Sequence, residues 1–223
     1  MGGGDGTLSL NGFNASATAL VKRWKEIEVD DSLPDWTWRP CSTMGTPSEV
    51  EGYLALEGVY RGCGGSQVCV VSLPEQIDEN NDSDGADVVA NDTWVQSSSG
   101  NVHVYDFHIV YSYSYKVPVL YFQGHRSDGQ LLTLDEIKQG LPSNSLKVLS
   151  ESKWTFITQE EHPHLSRPWF TLHPCATGDW MKLLLEESKA AYEEQSLRYL
   201  PAWLSVVGQA VGLKIPLELH CKP

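Results

Sequence analysis

The chain has 223 residues, 41% of them hydrophobic and 20% charged, which suits one elaborated globular domain and excludes wholesale disorder, collagen and coiled coil. Sixteen Lys and Arg against 29 Asp and Glu leave a net charge of −13, a field that repels phosphate backbones and anionic lipid, so nucleic acid is excluded as a partner class. No apolar run reaches the roughly 20 residues of a bilayer span, and the stretch 202–213 is broken by Ser205, Gly208 and Gln209.

The opening MGGGDGTLSL has neither the basic nor the apolar region of a secretory leader, which points to a cytoplasmic protein. Gly2 suits myristoylation, but Gly6 stands where Ser or Thr is required. Five cysteines, at 41, 63, 69, 175 and 221, are an odd number and fit reduced thiols better than a disulfide framework.

Apolar residues at Phe13, Ala17, Leu20, Val21, Trp24 and Ile27 repeat at the spacing of one helical face and predict an N-terminal amphipathic helix. Residues 30–47 hold three prolines and the Trp36/Trp38 pair and read as an extended crossing; residues 53–61 alternate like a strand, and 69–73 add a short second one. Residues 74–101 contain no Lys or Arg and seven Asp or Glu. They read as a solvated acidic loop inserted into a single domain spanning 1–223.

Residues 102–115 and 117–123 are dense in β-branched and aromatic side chains and predict two adjacent strands, with Tyr111, Tyr113 and Tyr115 in one row and Pro118 at a strand start. Thr133 and Glu136 form a capping-box pair ahead of a short helix closed by Gly140 and Pro142. A last strand is placed at 154–157, after which an irregular loop leads through residues 161–175. From Trp180 a helix runs to about residue 196, and Pro201, at a first-turn position, opens another. Helix, strands, irregular loop and two helices make an α+β plan.

The most informative stretch is 171–180, which puts Cys175 at the mouth of a helix. Thiolate is the nucleophilic form of a group that titrates near pKa 8.5, and a helix N-terminus favours it; backbone N–H groups in the same turn suit an acyl-transfer oxyanion. The alternative is an inert, buried structural thiol, since free Cys is among the most buried residue types. A zinc reading of His162, His164, His173 and Cys175 lacks the ligand separations of structural sites, and a papain-like hydrolase reading finds only His220 downstream.

The segment Glu161-His162-Pro163-His164-Leu165, followed by Trp169-Phe170-Thr171-Leu172-His173-Pro174-Cys175, resembles the active-site segment of the autophagy ubiquitin-like conjugating enzymes. In that family a His-Pro-His stretch precedes a His-Pro-Cys motif. The stretches 116–122 and 199–208 resemble one of its two branches, and the likeness covers roughly 53–216 with the acidic loop set aside. It implies a ubiquitin-conjugating-type fold: an N-terminal helix, a four-stranded antiparallel meander, a catalytic loop and C-terminal helices.

It also implies a transferase of the autophagy ubiquitin-like conjugation pathway that uses no metal or organic cofactor. Autophagy-related protein 12 would be taken from the activating enzyme, autophagy-related protein 7, as a thioester on Cys175, and passed to a lysine of autophagy-related protein 5. Ordinary ubiquitin-conjugating enzymes place a His-Pro-Asn several residues before their Cys, with the Asn at the oxyanion; here Cys175 itself follows His173-Pro174. Thr171, Thr177, Asp179, Tyr113 and Tyr115 are candidates by type for the missing role, while His173 and Pro174 are expected to shape the loop. The competing class is a non-catalytic conjugating-fold binding module, against which a Cys retained beside His-Pro argues.

Overall fold

The computed structural model describes residues 5–27, 34–41, 51–62, 102–151, 157–186 and 192–220. The acidic loop, the 69–73 strand and Cys63, Cys69 and Cys221 lie outside them. In chain order the elements are α1 (Leu10–Glu26), β1 (Thr37–Pro40), β2 (Gly52–Gly62), β3 (Val102–Ser112), β4 (Val117–His125), α2 (Leu134–Gln139), α3 (Ser143–Glu151), β5 (Ile157–Glu161), β6 (Pro168–Leu172), α4 (Thr177–Glu186), α5 (Tyr192–Ala210) and a closing 3-10 turn, Leu217–His220.

Six strands form one sheet in the order β1-β2-β3-β4-β6-β5, antiparallel throughout. The expected four-stranded meander is β1 to β4. Its first strand comes from the Trp-rich crossing, because Thr37 to Pro40 pair with Ala55 to Gly52. The β5–β6 hairpin then widens the sheet, so residues 168–172 are strand where the sequence showed no periodicity; five residues are too few to display a period of two against a flanking proline. β6 joins β4 only at Tyr121 and Phe122, which leaves the start of β4 free of a ladder on that side and admits Pro118 there.

The two faces of the sheet have different jobs. Leu54, Leu56, Phe107, Ile109, Leu120 and Phe122 are buried under α1 and α5, meeting Phe13, Leu20, Trp24, Leu200, Trp203 and Leu204 in the main core. Tyr53, Ala55, Val110, Val119, Tyr121 and Trp169 form a second buried cluster. α1 starts ahead of the apolar face that predicted it: Ser9 caps it, accepting the Gly12 N–H at 3.1 Å. The capping box of α2 is also present, with Thr133 and Glu136 bonded reciprocally.

Two expectations need correction. The helix expected to run to about 196 is described as α4 up to Glu186, with 187–191 outside the described residues, while α5 runs through Pro201 instead of starting there. A proline inside a helix cannot bond to the carbonyl four residues back, here that of Leu197. Ser16 of α1, fully buried, donates to that carbonyl at 3.4 Å and accepts the Leu200 N–H at 2.9 Å, so the break is repaired from the neighbouring helix. The tyrosine row also ends early: β3 stops at Ser112, and a turn with Lys116 at φ 53 carries Tyr113 and Tyr115 into solvent at 59% and 45% exposure. Only Tyr111 stays in the sheet, its hydroxyl donating to the Leu8 carbonyl at 2.8 Å. α3, finally, was unread in the sequence.

Candidate active site

β6 delivers the chain to its end at Leu172, and three residues later Cys175 stands just ahead of α4. Pro174, Ala176 and Thr177 are buried while Cys175 is exposed. Anchoring on both sides pushes one side chain outward. The Thr177 N–H donates to the Pro174 carbonyl at 2.9 Å, closing the turn from which α4 grows. Asp179 lies exposed in the first turn of that helix, where a carboxylate complements the dipole.

His173 turns back on its own loop. Its Nδ1 accepts the Cys175 N–H at 3.2 Å, and the Tyr115 ring meets its imidazole edge-on, centroids 5.8 Å apart. The hairpin turn that carries Tyr115 is itself tied down, because the Leu8 N–H donates to the Lys116 carbonyl at 2.8 Å. Leu8 belongs to a strap at residues 5–9. Tyr199 of α5 donates to the Gly6 carbonyl at 2.7 Å, and Gly6, at φ 71, lies so close to α4 that a Cβ there would fall 1.8 Å from the Gly178 carbonyl oxygen. Strap, hairpin turn and α4 therefore brace the Cys175 loop together. Sequence reasoning missed the strap because a Gly-rich start has no periodicity; glycines at 6 and 178 were its only trace.

The other candidates are placed as follows. Tyr113 turns away to donate to Glu51 Oε1 at 3.0 Å. Thr171 is fully buried and donates to the Leu120 carbonyl at 2.9 Å, fastening β6 to β4. Cys41 is half-buried, and burial raises its thiol pKa.

His162 and His164 do not join His173 and Cys175. His162, fully buried among Tyr53, Tyr121 and Trp169, bonds through Nε2 to His108 Nδ1 at 3.1 Å, and His108 Nε2 reaches Glu57 Oε1 at 3.3 Å. The His164 N–H donates to His162 Nδ1 at 3.2 Å. That bond fixes the tautomers along the row. His162 Nδ1 carries a lone pair, so its Nε2–H donates to His108, whose own Nε2–H donates to Glu57. Burial, and then the neighbouring His108, push the His162 pKa down to about 3, and burial lowers that of His108. Among the described residues, no group of three or more His, Cys, Asp or Glu side chains is arranged to hold a metal ion.

Comparison with known proteins agrees with the geometry. Residues 12–218 match the family model of the autophagocytosis-associated protein active-site domain. The chain belongs to this family. It is 45% identical to the ubiquitin-like-conjugating enzyme ATG10 of Arabidopsis thaliana across 96% of both chains, and 35% identical to the human ATG10 over 86% of this chain and 83% of that one. Autophagy-related protein 3 of Candida glabrata is 32% identical over only 49% of this chain and 32% of its own. The expected branch is thus the one to which the Arabidopsis and human relatives belong. The chain is a ubiquitin-like-conjugating enzyme of autophagy, a transferase, with an α+β fold.

Proposed function

We propose that Cys175 is the acceptor and that the enzyme carries autophagy-related protein 12 from autophagy-related protein 7 to a lysine of autophagy-related protein 5, in the cytoplasm. One observation carries the reading: among the described residues Cys175 is the one exposed cysteine, held between buried neighbours at the foot of α4 and inside the residues that the family model matches.

The chemistry follows from the residue type. The Cys175 thiolate attacks the carbonyl carbon of the thioester on the activating enzyme; a C–S bond to Cys175 forms, the old C–S bond breaks, and the activating enzyme's sulfur leaves as thiolate. One thioester replaces another, so this step is close to isoenergetic and depends on alignment. In the second step a neutral lysine amine attacks the same carbon, Cys175 departs as thiolate, and the proton lost from nitrogen passes to solvent. An amide is left. Lysine is protonated near neutral pH, so the acceptor needs desolvation or a nearby proton acceptor to react.

Incubation with the activating enzyme, ATP and autophagy-related protein 12, followed by non-reducing electrophoresis, tests the reading. A thiol-sensitive adduct is expected, and Cys175→Ser should abolish it or convert it to a thiol-resistant oxyester. An adduct that survives unchanged in Cys175→Ser, or none in the wild type, refutes the assignment.

A further inference from the structure

The chain contains His-Pro twice, and both copies fold into the same local turn. At 162–164 the N–H of His164 donates to Nδ1 of His162 at 3.2 Å; at 173–175 the N–H of Cys175 donates to Nδ1 of His173 at 3.2 Å. The physical cause is common to both. Proline at the middle position fixes φ and has no N–H, so the next amide is the first donor the chain offers, and the ring nitrogen two bonds beyond the histidine Cβ reaches it as an Asn side chain does in an Asx turn. In the first copy the histidine itself is buried and belongs to the Glu57–His108–His162 row. In the second the amide it captures is that of the exposed cysteine.

We propose that His173 is a positioning residue for Cys175. Its Nδ1 holds the Cys175 amide, fixing the backbone from which the sulfur projects, and Tyr115 steadies the ring from the hairpin turn. Since Nδ1 is occupied as an acceptor, the neutral ring carries its proton on Nε2. The inference rests on Cys175 being the acceptor, and gives His173 a part in alignment rather than in proton transfer. The first step of transfer, which is governed by alignment, is where its effect belongs.

Substitution geometry separates the two roles. In Asn the side-chain oxygen occupies the place of Nδ1; in Gln the polar end lies where Nε2 was. The test compares His173→Ala, His173→Asn and His173→Gln in the full chain, reading the rate of adduct formation, hydrogen exchange at the Cys175 amide, and the melting temperature as a control for folding. His173→Ala and His173→Gln should slow adduct formation roughly tenfold, the worth of about one hydrogen bond, and speed exchange at the Cys175 amide, while His173→Asn recovers most of both. The proposal is overturned if all three variants match the wild type, if Gln rescues and Asn does not, or if Asn keeps the amide protected yet stays as slow as Ala. A wild type that forms no adduct defeats the Cys175 reading itself. A wild type that does, with indistinguishable variants, defeats this inference alone.

Discussion

Two His-Pro turns stand eleven residues apart in this chain, and their surroundings give them opposite characters. Around His162, side chains do the holding: a fully buried imidazole lies among Tyr53, Tyr121 and Trp169 and bonds His108 in line with Glu57, which also pairs with Arg39 at 2.8 Å. Around Cys175 the loop is braced largely through backbone, by the 5–9 strap, the hairpin turn and the first turn of α4, and the central side chain is left in solvent. The difference teaches that the motif supplies a turn, while burial decides whether that turn stabilises the fold or leaves a side chain in solvent.

The comparison is broken most forcefully at the buried copy. His162→Ala leaves His108 Nδ1 and the His164 N–H without their partner and opens a void beside Trp169, so the protein should lose about 3 kcal/mol in urea unfolding. Cys175→Ser, on an exposed site, should change stability by less than about 0.5 kcal/mol. Comparable losses in the two variants would show that the turns are not differently employed.

The strap is the next target. Gly6→Ala sets a Cβ against the Gly178 carbonyl at a positive φ, and should cost about 2 kcal/mol and slow adduct formation as the foot of α4 shifts. A normal rate with lowered stability would remove the strap from the bracing of Cys175 and leave it a purely structural part.

A graded effect comes from pH. His162 titrates near 3 in the folded protein and near 6.5 when unfolded, so between those values the unfolded chain binds the extra proton. Stability should be constant from this source above about pH 6.5 and fall by about 1.4 kcal/mol for each unit of pH below it, down to about 3. Urea melts at pH 7, 6 and 5 measure the slope, and His162→Asn should reduce it by about one proton. An unchanged slope in that variant would place the linkage elsewhere.

Much of this was legible before folding. The spacing of Phe13, Ala17, Leu20 and Trp24 named the buried face of α1, and the Thr133/Glu136 pair named its helix start, because both signals are local. Cys175 at a helix mouth was legible for the same reason. Ser16 was not: its value lies in a proline more than 180 residues away, and only the packing of α1 on α5 brings the two together.

The amino-acid order alone settled the helical faces, the caps, the density of strand residues and the presence of two histidine–proline pairs, since each is written in neighbours a few positions apart. Which histidine is sunk against the sheet and which one leads to an open sulfur was decided by the tertiary structure. Burial is a property of what lies opposite a residue, and His108, Trp169, Gly6 and Tyr115 reach these two turns from distant parts of the chain or from across a strand.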